Sequence, residues 1–185
     1  VYGATLEERV QILLNDFSDF INKEDLEKVG QRDMPEPCDI YHNHRNNITF
    51  NHDFPLGGDF NLTYPKIKAK YDHRIKKLLS TIKASKQVLI VYMELPKTTH
   101  KISPQTLQEQ LNLLNNKFPD TQIDMLYIAH NENMPDGISK CEPISPNLFN
   151  GECFNSRRDS ENDYSGNRQN AKLVLKGISC KKKIT

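Results

Sequence analysis

Apolar residues open the chain at the spacing of a helix face. Leu6, Val10, Leu13, Leu14 and Phe17 fall three or four positions apart, predicting an amphipathic helix that runs to about Asp16. Thr5-Leu6-Glu7-Glu8 begins it as a capping box, in which a hydroxyl and a carboxylate three residues on each satisfy a free amide. Phe20 and Ile21 extend the buried contact. Residues 22–37 are polar and close on Pro35 and Pro37, which reads as a loop. From Asp39 to Phe54 the pattern changes to that of a hairpin. Ile40, Ile48 and Phe50 favour strands, and His44-Arg45-Asn46-Asn47 supplies turn chemistry. Pro55-Leu56-Gly57-Gly58 then breaks the second strand, leaving a glycine-containing loop directly after His52 and Asp53.

Tyr64 to Lys83 carries the clearest helical stripe, made of Ile67, Tyr71, Ile75, Leu78, Leu79 and Ile82. Val88-Leu89-Ile90-Val91-Tyr92 is a short continuous apolar run, the pattern of a strand buried on both faces. Ser103-Pro104 starts another helix with a hydroxyl cap and a proline at its first position. Leu107, Leu111, Leu114 and Phe118 continue it, and Ile123 to Ala129 reads as a further buried strand. Helix, strand, helix, strand with short connections predicts an α/β fold: a layered sheet with parallel strands covered by helices, plus the N-terminal helix and the hairpin. Residues 132–170 lack sustained periodicity, and only Ala171 to Ile178 recovers a strand pattern before Lys181-Lys182-Lys183. The expected organisation is an α/β domain over 1–131 and a polar, poorly ordered C-terminal extension over 132–185.

At 185 residues the chain suffices for one well-cored domain. Its 36% hydrophobic and 26% charged residues exclude a wholly disordered composition. A formal charge of +1 points to no partner by itself. Cys38, Cys141, Cys153 and Cys180 show neither CxxC spacing nor a dense framework, so a reducing, cytoplasmic setting is the simpler expectation. No apolar run approaches the roughly 20 residues that span a bilayer, and no membrane association or cofactor is expected. The chain opens on Val1 without a charged-then-apolar leader, which reads as a sequence whose beginning is missing.

Chemistry concentrates around three histidines. His42 and His44 lie two apart and share one strand face, where they read as exposed hairpin residues. His52 sits where an apolar strand meets the Pro-Gly-Gly break, a place from which an imidazole can reach a pocket and act as a general base. Consecutive strand residues face opposite sides, so an orienting bond from Asp53 to His52 requires the strand to end there. The 64–83 helix carries Lys66, Lys68, Lys70, Arg74, Lys76, Lys77 and Lys83 against a single Asp72. Its plain reading is a solvated surface. Its functional reading is a site for a phosphate-bearing ligand, with Lys70, Arg74 and Lys77 as contacts. Without interleaved exposed aromatics it offers nucleic acid no stacking platform. His44, Asn51, His52 and His73 are loosely similar in arrangement to strand–strand–helix metal nucleases, but no carboxylate is placed as a ligand; no metal is assigned. Cys38 reads as a packing residue.

Asn15-Asp16-Phe17-Ser18-Asp19-Phe20, the run Phe50-Asn51-His52-Asp53-Phe54, the helix segment Lys70-Tyr71-Asp72-His73-Arg74-Ile75, the strand Val88–Tyr92 and the stretch Leu111 to Ile128 together resemble a family of papain-like cysteine peptidases found in polysaccharide-biosynthesis settings. The likeness covers roughly residues 1–130. It implies a nucleophilic cysteine in a glycine-rich strand upstream of this chain, His52 as its base, and Asp53 in support. Tyr92-Met93-Glu94 departs from the family pattern, where an arginine is expected. A Cys–His pair suits hydrolysis of a peptide-like substrate and acyl transfer to a glycan alike, since both need an activated thiolate and an oxyanion site. The leading expectation is therefore a Cys–His hydrolase or acyl/glycan-modifying transferase domain linked to polysaccharide biosynthesis. The alternatives are a non-catalytic module that binds an anionic partner through the lysine-rich helix, and a metal-dependent nuclease.

Overall fold

The capping box at Thr5 forms in the computed structural model, which describes residues 4–33, 36–93, 101–131, 133–135 and 139–153. Thr5 Oγ1 accepts from the Glu8 amide at 3.2 Å and Glu8 Oε2 accepts from the Thr5 amide at 2.7 Å, starting helix α1 (Leu6–Leu14). The helix stops short of Asp16 because Asp16 and Phe17 take left-handed backbone angles, with φ of 52° and 60°. A bulky residue such as Phe17 adopts that conformation only when its surroundings compel it. Here the surroundings are the hairpin: the buried Asn43 side chain donates to the Asp19 and Phe20 carbonyls, and Asn46 donates to Asp19 as well.

A short 3₁₀ turn (Lys23–Asp25) leads into strand β1 (Leu26–Arg32), within the stretch that reads as a loop. The sequence conceals this strand because it is an edge with one neighbour and few apolar residues, and a register shift between Lys28 and Gly30 interrupts its alternation. Strands β2 (Cys38–Asn43) and β3 (Ile48–Pro55) form the expected hairpin, and β1-β2-β3 make an antiparallel sheet. Asp59 accepts from the amides of Asn61 and Leu62 and starts helix α2 (Phe60–Ala84) about a turn ahead of the expected Tyr64. Helix α2 packs on β3. The core between them holds Phe20, Tyr41, Ile48, Phe50, Phe54 and Ile67, with Phe60, Tyr64, Tyr71 and Ile75 at its margin. Phe20, Phe50 and Tyr71 meet edge-on or tilted at centroid distances of 5.4 to 5.7 Å. Leu78, assigned to the apolar stripe, is exposed.

These elements make one unit, Val1–Ser85; Lys86–Thr185 make a second. The second unit contains strand β4 (Gln87–Met93), helix α3 (Pro104–Lys117) and strand β5 (Gln122–His130) in the expected order. Strands β4 and β5 are parallel, and α3 packs on β5 through Leu107, Leu111 and Leu114. Strand β5 is buried on both faces from Ile123 to Ala129. Strand β4 is not: Leu89 and Val91, alternate residues on one face, are 39% and 41% exposed, so its continuous apolar run marks neither two covered faces nor a central position, and β4 is an edge of the sheet. Residues 132–170, where no element is expected, contain strands β6 (Ser139–Ser145) and β7 (Leu148–Cys153). Strand β7 joins β5 in parallel and β6 closes the sheet antiparallel, giving the order β4-β5-β7-β6. Pro143 fits β6 because an edge strand tolerates a missing donor. The strand expected at 171–178 and the lysines at 181–183 lie outside the described residues. The fold is α/β, and no described helix is long and apolar enough to cross a membrane.

Phe50 is 1% exposed and touches the rings of Phe20, in the turn after α1, and Tyr71, on α2. Phe50→Ala is expected to cost about 3–5 kcal/mol, measured as a fall in the urea unfolding free energy of the full chain.

Candidate active site

The feature that places His52 is an irregularity in the hairpin ladder. Tyr41 pairs with Phe50 and Asp39 with Phe54, so Ile40 alone spans the stretch that residues 51–53 occupy on the facing strand. Phe50 and Phe54 are both buried, and regular alternation would also turn residue 52 inward. The extra length instead bulges from the ladder. The His52 side chain is 46% exposed, whereas that of Asp53 is 12% exposed.

The two side chains therefore go to different partners. Asp53 faces α2, where one carboxylate oxygen pairs with the Lys70 ammonium and the other accepts from the Tyr71 hydroxyl at 2.7 Å. Burial, and then the Asp53 carboxylate beside it, push the Tyr71 hydroxyl well above its usual pKa. Strand β3 continues past Asp53 to Pro55, so the condition for an Asp53–His52 bond is not met. Asp53 acts as the tie between β3 and α2.

His52 meets Arg32 and Glu36. Arg32 Nη2 lies 2.7 Å from His52 Nδ1, Arg32 Nη1 lies 3.4 Å from Nε2, and Glu36 Oε2 lies 3.5 Å from Nδ1. A guanidinium only donates, so the shorter contact favours a lone pair on Nδ1 and the ring proton on Nε2, where that proton faces Arg32 Nη1 at 3.4 Å. Glu36 can only accept, and at 3.5 Å it contends for the same nitrogen in the opposite sense. Arg32 also donates from Nε and Nη2 to the Glu36 carbonyl, at 3.3 and 3.2 Å. Neither Arg32 nor Glu36 was singled out in the sequence; only the pairing of β1 with β2 brings them near the histidine.

Among the other candidates, His42 and His44 share the hairpin surface, with ring centroids 5.0 Å apart. His42 bonds Thr49, and His44 pairs with Glu27. Cys38 is buried and its thiol donates to the Asn51 carbonyl at 2.8 Å, the contact of a packing residue. Of the helix cations, Lys70 is engaged by Asp53, and Arg74 lies 5.8 Å from the centre of the Tyr71 ring. Lys77 is exposed and takes no part in that cluster. A cleft of about 500 Å³ lies beside α2, lined by Phe17, Ile75, Leu79, Lys76 and Lys83 among others; its lining includes neither His52 nor Asp53. Among the described residues, no three His, Cys, Asp or Glu side chains converge as a metal site, so the nuclease alternative gains no support. Glu94, Cys180 and the Cys153 side chain lie outside the described residues.

Asp39, on the strand facing the bulge, is buried and pairs with Lys28 at 2.8 Å; in the loop that follows the bulge, Gly57 has a φ of 65°, which suits glycine. The Lys28 hydrogen bond holds the Asp39 carboxyl below its ordinary 3.8, against an opposing push from burial.

A family model described as "putative papain-like cysteine peptidase" matches residues 1–133. No curated protein and no solved structure matches the chain.

Asp53→Ala strands Lys70 and the Tyr71 hydroxyl and is expected to cost about 2 kcal/mol. His52→Ala, at a half-exposed position, is expected to stay within about 0.5 kcal/mol of wild type in the same urea titrations. A depressed carboxyl stabilises the fold above its unfolded pKa, and that stability disappears as pH falls through the folded value. The stability gap between wild type and Lys28→Met should thus be full at neutral pH and close below 3.8, as read from urea unfolding across the acid range.

Proposed function

The chain belongs to the family described as putative papain-like cysteine peptidases, and from that premise we propose that it is a thiol-dependent acyl hydrolase or acyltransferase domain in which His52 is the general base. The observation that carries this reading is the bulge that turns His52 out of the core while both flanking phenylalanines stay in it. A histidine kept only for packing would follow its strand inward. This one stands half exposed, beside a cation and a carboxylate, where an incoming thiol can meet it.

In this reading the imidazole takes the proton of a cysteine thiol, the thiolate attacks an acyl carbon, and the imidazolium returns the proton to the leaving group. Cys38, the thiol described in the same unit as His52, is bonded to the Asn51 carbonyl and packs in the core. The nucleophile is supplied from outside the described residues. Asp53 contributes by anchoring the strand on which His52 sits, a positioning role exerted through Lys70 and Tyr71. Hydrolysis of a peptide-like bond and transfer of an acyl group to a glycan share these steps up to the acyl-enzyme. The polysaccharide setting implied by the resemblance favours the glycan acceptor, and a cytoplasmic location is part of the same proposal.

The test is an activity-based acyl probe applied to the protein in its natural length. His52→Ala is expected to reduce the rate of thiol acylation by about 10²–10⁴-fold while leaving the unfolding free energy near wild type. Wild-type acylation by the folded variant would overturn the assignment.

A further inference from the structure

Arg32 is half-buried, and its guanidinium meets no carboxylate among the described residues. Its donors go to a backbone carbonyl and to an imidazole, both neutral acceptors. Glu36 has its carboxylate 3.5 Å from His52 Nδ1 and accepts from Arg32 through its carbonyl oxygen. A guanidinium positioned in this way keeps most of its charge available, and its planar fork matches a carboxylate with two parallel hydrogen bonds. The same guanidinium faces both ring nitrogens of His52, Nη2 at 2.7 Å from Nδ1 and Nη1 at 3.4 Å from Nε2, and the shorter contact takes up the Nδ1 lone pair when the ring proton is on Nε2. A ring in that state has no free lone pair with which to take a thiol proton. For His52 to work as a base, Arg32 has to leave it.

We propose that Arg32 is the specificity-determining residue of this site: it recognises a carboxylate carried by the acyl substrate, and in turning to that carboxylate it uncaps His52 Nδ1. The proposal rests on the reading of His52 as the base. The substrate class is an acyl compound that bears a second, ionised carboxyl group close to the reacting carbonyl, as in an acidic peptide or an acidic sugar. Arg32 sits on β1 opposite Cys38, one strand away from the bulge, so its side chain reaches His52 across the sheet while its backbone stays in the ladder. Exchanging one neutral acceptor for a charged one needs only a side-chain rotation. The gain is the difference between a hydrogen bond to an imidazole and a charge-assisted pair, enough to bias the two arrangements by on the order of 10-fold or more. An uncharged acyl compound lacks the group that draws Arg32 away, so it meets a capped base.

The test reads the ring of His52 directly and needs no turnover. In the full chain labelled with ¹⁵N-histidine, long-range ¹H–¹⁵N spectra report which ring nitrogen carries the proton and whether the other is hydrogen-bonded. Titration with acetate, against acetamide and against chloride at equal ionic strength, is expected to shift the His52 Nδ1 resonance saturably with acetate alone. In Arg32→Met the resonance should begin at the uncapped position and ignore acetate; Arg32→Lys, which keeps charge without the fork, should respond more weakly than wild type. An equal response to acetate and chloride, or an unchanged acetate response in Arg32→Met, would overturn the proposal. Loss of acylation in His52→Ala is scored separately, so failure of the base assignment and failure of the Arg32 assignment give different results. With acyl probes, Arg32→Met should lose a preference for carboxylate-bearing over amide-bearing forms of on the order of 10-fold; an undiminished preference contradicts the role given to Arg32.

Discussion

Phe50 and Phe54 must both reach the core beneath α2, and between them β3 carries more chain than β2 can pair with. Ile40 occupies the ladder opposite residues 51–53, so the surplus has to leave the plane of the sheet. A ladder with matched lengths would send residue 52 inward and residue 53 outward, placing an imidazole in hydrocarbon and a carboxylate in water. The bulge reverses both assignments. Burial of the two rings, each deeply packed, supplies the free energy that holds this irregular stretch in place, and the opposite directions taken by His52 and Asp53 follow from it.

The reversal separates two residues that adjacency in sequence suggests as a pair. Asp53 becomes part of the scaffold, spending its charge on Lys70 and its remaining acceptor on the Tyr71 hydroxyl. That expense also removes Lys70 from the lysine-rich surface of α2, and Arg74 beside the same ring is partly engaged as well. A helix that looks in sequence like an anion-binding strip is in part a structural partner of β3. His52, turned the other way, enters the field of Arg32 and Glu36, one of which needs its Nδ1 lone pair and the other its Nδ1 proton. One nitrogen cannot serve both neighbours at once.

The second unit shows a different constraint at work. Strand β5 is buried on both faces and so needs a neighbour on each edge. Strand β4 satisfies one edge. The other is met by β7, drawn from a stretch rich in Asn, Gly and Pro. Backbone hydrogen bonding to an established strand, rather than side-chain preference, makes that hairpin.

The sequence by itself determined the elements whose signals are local. The Thr5 and Ser103 caps, the stripe of α2, the turn at residues 44–47 and the apolar run of β5 all depend on residues within a few positions of one another, and helix periodicity, capping and turn preference act over that range. It also singled out His52 and, through the run Phe50–Phe54, the family to which the chain belongs. Tertiary structure alone decided what each of those residues touches. Strand β1 exists because β2 offers it an edge, β4 is an edge strand with β5 as its one neighbour, and β7 is a strand because β5 requires a neighbour. Asp53 faces away from His52, and Arg32 faces toward it, because register is a property of two strands together, and a surplus in one strand cannot be read without the other.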